Sequence, residues 1–116
     1  MKILIAGGRD FVGDFDHMEW LDMLHAEHVF SGAVSGGAKG ADAYGEKWAQ
    51  LRNLPTRLFL ANWSKHGKAA GPIRNRQMAE YVAKHGGIVA LLPGGKGTAN
   101  VKATAEKAGL RVVEYT

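Results

Sequence analysis

Three short strings hold the residue types from which an anion site can be built: AGGRDF at 6–11, SGGAKGAD at 35–42 and PGGKGTAN at 93–100. Each sets a glycine pair beside a cation, Arg9, Lys39 or Lys96 respectively. A loop without Cβ atoms lets backbone N–H groups approach an anion closely, and a helix that follows it adds the positive end of its dipole. The chemistry implied is phosphate recognition by Gly7, Gly8, Arg9, Gly36, Gly37, Lys39, Gly40, Gly94, Gly95, Lys96 and Gly97. Neither GxGxxG nor GxxxxGK[ST] occurs, so these turns are not a standard dinucleotide turn or a P-loop.

A fourth string, NWSKHGKAAGPIRNRQM at 62–78, concentrates further cations at Lys65, Lys68, Arg74 and Arg76. Arginine near a helix start opposes the helix dipole unless an anion lies close by, and its planar fork suits bidentate phosphate contact. Trp63 is the aromatic placed either to stack on a base or to pack this loop down. Two carboxylates, Asp42 and Glu46, stand four residues apart on one helix face and are the candidates for acid–base work. Helix-dipole complementarity for Asp42 and solvent exposure for Glu46 explain the same pair without catalysis. Asp10 is positioned to pair with Arg9, and Phe11 completes that first loop. His25 and His28 lack a third ligand, so no metal is expected, and Ser35 has no evident His–Asp partners for nucleophilic chemistry.

Elements that alternate along the whole chain must position these groups. Apolar runs at Ile3–Ala6, Phe30–Val34, Leu58–Leu60, Ile88–Leu92 and Val112–Tyr115 read as strands covered on both faces, because none alternates apolar with polar. Amphipathic segments at about 16–28, 40–53, 72–85 and 98–108 read as helices. Asp16 and Glu19 have capping-box spacing at the first, and Met18, Leu21 and Leu24 share its arc. Pro72 opens the third, and Gly86-Gly87 closes it. In the second, Ala41, Tyr44, Trp48 and Leu51 form the apolar spacing, while Trp20 and Met23 on the first leave room for a homo-oligomer contact. The order predicts an α/β fold, a Rossmann-like open and mostly parallel sheet of about five strands with helices on both faces. All the glycine strings would then lie along one edge, the carboxyl ends of the strands, where such sheets bind ligands. The stretch 61–71 is expected to be a long loop of functional importance.

Composition agrees with this reading. The 116 residues fit one domain able to bury about 65% of its unfolded surface without staples. There is no cysteine, which removes disulfides and thiolate chemistry and fits a reducing, cytoplasmic setting. No apolar run approaches the ~20 residues of a membrane span, so no membrane partner is expected. Of 16 glycines, eight fall in the three loops, which points to a pocket more than to flexibility. Residues 10–46 hold eight acids and only Lys39, whereas 47–105 hold ten bases and only Glu80. The positive charge thus gathers on the ligand edge, and a net charge of +4 makes a nucleic-acid partner the weaker alternative.

At the same strings the chain resembles the YspA-like branch of the SLOG superfamily, relatives of the LOG phosphoribohydrolases and of DprA, over nearly its whole length. The resemblance implies that the loops enclose a nucleotide-derived small molecule, with Gly8, Arg9, Gly36, Gly37, Gly94, Gly95, Gly97 and Thr98 as its phosphate and ribose shell and Arg74 and Asn75 of the GPIRN segment beside them. LOG enzymes carry PGGxGTxxE, whose glutamate assists N-glycosidic cleavage; here the string is PGGKGTANV and Val101 occupies that place. The expectation is therefore binding of an ADP-ribose-type or cyclic-nucleotide signal, by sensing or by sponge-like sequestration in a phage-defence setting, with no turnover and no cofactor. A hydrolase using Asp42 or Glu46 with Arg74 is the alternative, and a DprA-like single-strand DNA binder is a second.

Overall fold

The computed structural model describes residues 1–116. Five strands form one wholly parallel sheet: β1 (Lys2–Ala6), β2 (Gly32–Ser35), β3 (Thr56–Leu58), β4 (Gly87–Leu91) and β5 (Arg111–Glu114), in the order β3-β2-β1-β4-β5. The helices are α1 (Phe15–His28), α2 (Ala41–Leu51), a one-turn α3 (Trp63–His66), α4 (Ala70–His85) and α5 (Lys96–Lys107). A 3₁₀ turn, Gly67–Ala69, joins α3 to α4. The Rossmann-like open sheet expected from the sequence is thus the fold, and it is entirely parallel. No helix is long and apolar enough to cross a membrane.

Strand periodicity divides the core. On β1, Ile3 and Ile5 face α1 and α2, packing with Leu21, Leu24 and Trp48; Leu4 and Ala6 face α4 and α5, packing with Met78, Val82 and Val101. β4 repeats the division, with Ile88 and Ala90 on the first side and Val89 and Leu91 on the second. Both central strands therefore read as unbroken apolar runs.

Element boundaries differ from the sequence reading where a polar contact outweighs apolar pattern. α1 starts at Phe15 because Asp14, and not Asp16, is its cap: the Asp14 carboxylate accepts from the Asp16 N–H at 2.9 Å, and the Asp14 N–H donates to His17 Nδ1 at 3.1 Å. The partner in this box is histidine in place of the expected glutamate. Phe30 precedes β2; it is a buried plug stacked between His25 and His28, its N–H donating to His25 Nδ1 at 3.0 Å. β3 pairs through Thr56–Leu58 and not 58–60, since an edge strand covered on one side accepts Thr56 and Arg57, the latter lying over Phe59 and Tyr81. Leu51 is exposed and contributes nothing to the core. The expected loop 61–71 is largely helical: Asn62 caps α3 by accepting the Lys65 N–H at 3.1 Å, and α4 begins at Ala70, two residues before Pro72.

Candidate functional site

Strand order reverses direction between β1 and β4, since β1 leads by α1 to β2 on one side and β4 leads by α5 to β5 on the other. The loops leaving these two strands diverge to opposite faces and leave a crevice at the carboxyl edge. A cavity of about 510 Å³ opens there. Its walls come from four segments: Arg9 after β1, Ala38 and Asp42 around the start of α2, Trp63 to Met78 from α3 and α4, and Lys96 to Val101 of α5.

The glycine strings bring these segments together in a way the sequence did not reveal. Gly8 donates its N–H to Pro93 O at 2.8 Å and accepts at its carbonyl from the Ala41 N–H at 3.0 Å, so one residue ties all three loops. A Cβ on Gly8 would lie 3.1 Å from Gly94 Cα, and one on Gly94 would collide with Thr98. Gly40, at φ +77, has no space either: a Cβ would strike the carbonyls of Gly8 and Arg9. Gly8, Gly36, Gly37, Gly40, Gly94 and Gly95 lie outside the cavity lining, as do Asp10, Phe11 and Lys39. The Gly37 N–H is taken by Ser35 Oγ at 3.1 Å and the Ala38 N–H by Asp42 Oδ2 at 3.2 Å.

A run of consecutive free donors opens α5. α5 has no side-chain cap, its first internal bond here is Ala99 N–H to Gly95 O at 3.0 Å, and the Lys96, Gly97 and Thr98 amides make no hydrogen bond within the protein. Lys96, Gly97 and Thr98 all line the cavity, and Thr98 Oγ1 is buried without a partner. With Gly7 and Arg9, these groups are the part of the expected cradle that faces the cavity.

Opposite them stand Arg74 and Asp42, which meet at Gly36: a Cβ there would come 2.6 Å from Arg74 Nη1 and 2.9 Å from Asp42 Oδ2. Arg74 Nη1 donates to Gly36 O at 2.7 Å, and Nε donates to Asn75 Oδ1 at 2.9 Å. Burial holds Arg74 below the usual guanidinium range, with the Asp42 carboxylate opposing that shift. Asp42 is only 8% exposed, and burial pushes its carboxyl above the ordinary range against the pull of the Ala38 N–H and of Arg74. It is the one acid in the cavity wall. Glu46, the other catalytic candidate, lies outside that wall and accepts from Ser35 Oγ at 2.6 Å. The expected Arg9–Asp10 pair does not form; the ion pairs join other residues, chiefly Asp22 with Arg52 and Lys102 with Glu114. Arg9 instead faces the cavity, and Trp63 lines its mouth, 51% exposed.

Several wall residues were not anticipated: Ala38, Gly71, Pro72, Met78 and Asn100. A signal existed for some of them. Gly71, Arg74, Asn75 and Met78 follow helical spacing from the residues singled out in α4, and Gly97, Asn100 and Val101 do so in α5. Val101, 6% exposed, belongs both to this wall and to the apolar cluster beneath it.

A wholly parallel sheet with a cation-lined cavity at its switch point defines a Rossmann-like α/β protein. Sequence comparison narrows this class. The profile of the YspA, cpYpsA-related SLOG family matches residues 1–66, and the chain belongs to that family. It is also 32% identical over 124 aligned positions to the Gene 61 protein of Mycobacterium phage D29, an alignment covering 98% of this chain and 95% of the relative. Membership of the SLOG family points to binding or processing of nucleotide-related molecules.

Proposed function

We propose that the cavity binds a phosphate- and ribose-bearing nucleotide derivative, of the ADP-ribose or cyclic-nucleotide type, and holds it without cleaving it. The observation that carries this reading is the pairing of two chemistries in one wall. Arg9, Arg74, Lys96 and the unpartnered amides of α5 suit a phosphate, while Trp63 and Pro72, backed by the buried Met78 and Val101, offer apolar surface to a base. Retention without turnover is supported by the composition of the same wall. Cleavage through an oxocarbenium-like state needs a carboxylate to stabilise positive charge, and Val101 supplies none. Asp42 is the sole acid available, and its burial favours the neutral form while its Oδ2 is already occupied by the Ala38 N–H.

Titration calorimetry and thermal shift with AMP, ADP-ribose, NAD and cyclic dinucleotides test the reading. At least one member is expected to bind and to be recovered intact by chromatography after the protein is heat-denatured. Released base or ribose phosphate would replace sequestration by hydrolysis, and Asp42→Asn would then abolish product formation. Absence of binding across the panel would overturn the reading.

A further inference from the structure

Asn100 has no role in the site as described above, yet its side chain is half-buried in the cavity wall and its orientation is forced. The forcing begins at Arg74, because a guanidinium can only donate. Its Nε–H meets Asn75 at 2.9 Å, so the atom of Asn75 on that side must be the acceptor Oδ1. Asn75 Nδ2 is then turned toward Asn100, again at 2.9 Å, and the atom of Asn100 that receives it must be Oδ1. Asn75 is 5% exposed, so water does not offer it another arrangement. The assignment of oxygen and nitrogen in both amides therefore follows from arginine chemistry and not from the fit of two similar atoms. Asn100 Nδ2 is what remains: it has no partner within the protein and is not sealed from solvent.

We infer that Asn100 contacts the bound nucleotide as a hydrogen-bond donor, reading an acceptor atom of the ligand, and that Asn75 is the positioning residue that fixes which end of its amide faces the cavity. This rests on the nucleotide reading above. It also assigns complementary tasks within one wall, since Asp42 and the Thr98 hydroxyl are groups there able to accept from a ligand hydroxyl or amine. Asn100 lies three residues after Gly97 on α5, on the face that carries the free amides. A phosphoryl oxygen and an acceptor on the nucleoside share the required chemistry.

Calorimetry with ADP-ribose, AMP and adenosine tests the assignment. Asn100→Ala is expected to weaken ADP-ribose binding about tenfold, and Asn100→Asp further, because a carboxylate would then face the ligand's acceptor. Loss confined to ADP-ribose and AMP identifies a phosphoryl oxygen, whereas equal loss with adenosine identifies the nucleoside. The positioning role has its own signature. In Asn75→Asp the carboxylate accepts from both Arg74 and Asn100, so Asn100 must reverse and present Oδ1 to the cavity. That variant should lose about the same tenfold, and adding Asn100→Ala to it should cost nothing more. Multiplying losses would overturn the positioning role, and an Asn100→Ala affinity within twofold of the parent would overturn the contact. Should a variant fail to fold, the Asn100 side-chain NH₂ resonances of the unaltered protein must still move when ADP-ribose is added; unmoved resonances refute the contact. If the unaltered protein binds none of the nucleotides, the parent reading itself falls and takes this one with it.

Discussion

Replacing Gly40 by alanine separates two reasons a loop can require glycine. At φ +77 and ψ −123 the residue sits where L side chains are strained by about 1–3 kcal/mol. Gly86 provides a matched control, with φ +80 and ψ 133, also outside the range of L residues, but with nothing within 4 Å of an added Cβ. Alanine at Gly86 incurs the backbone strain alone. Alanine at Gly40 incurs the same strain and also drives its methyl into the carbonyls of Gly8 and Arg9. The β2–α2 loop must then withdraw, which breaks the 3.0 Å bond from Ala41 N–H to Gly8 O, an added cost of about 1–2 kcal/mol with the lost packing. For a chain of this size each kcal/mol lowers the melting temperature by about 4 °C. Thermal unfolding followed by circular dichroism should therefore place Gly40→Ala about 4–8 °C below Gly86→Ala. Nucleotide affinity should fall in the first alone, because Arg9 and Ala38 lose their placement. Equal melting temperatures for the two variants would refute the claim that loop-to-loop contact, and not the turn itself, demands glycine at position 40.

Two further outcomes concern carboxylates. Asp22 is held below its usual range chiefly by the Arg52 hydrogen bond at 2.6 Å, with Trp48 Nε1 donating at 2.9 Å; a depressed carboxyl stabilises the fold above its unfolded value near 3.8 and loses that contribution as pH falls through the folded value. The stability gap between the parent and Asp22→Asn, about 0.5–1 kcal/mol for a pair this open to solvent, should hold at pH 7 and close on acidification below pH 3.8 in urea titrations. Asp42 has the opposite sign: its raised value means that the ionised form burdens the folded state, with the penalty developing as pH rises from 3.8 through the folded value. Asp42→Asn should consequently be more stable than the parent at pH 7 in the absence of ligand and lose that advantage near pH 3, and a variant less stable at pH 7 would contradict it.

What the sequence made legible was whatever burial dictates. β1 and β4 are covered on both faces and stand out as apolar runs, and Trp48, Leu21 and Leu24 read correctly as core. The edges were obscure because a few polar contacts set them: Asp14 and His17 move the start of α1, and the His25–Phe30 contact removes Phe30 from β2. The site was legible to the level of loops. Arg9, Asp42, Trp63, Arg74, Asn75, Lys96, Gly97 and Thr98 do meet around one cavity. Glycine spacing could not tell that Gly8, Gly40 and Gly94 give their space to neighbouring loops, because a sequence records that a Cβ is missing and not what fills its place.

The double engagement of Gly8 has a consequence for how fast and how tightly a ligand is held. With its N–H on Pro93 and its carbonyl on Ala41, Gly8 ties together from behind the loops that frame the crevice, so association has little chain entropy to remove there. Preorganisation of this kind leaves the encounter rate near that of a rigid surface and moves differences among ligands into the rate of escape. The short α3 segment carrying Trp63, exposed along its length, is the part of the rim with freedom to respond. Residence time of a ligand bound as proposed should thus be governed at that aromatic rim, while the glycine contacts behind the wall keep Arg9 and Asp42 in place.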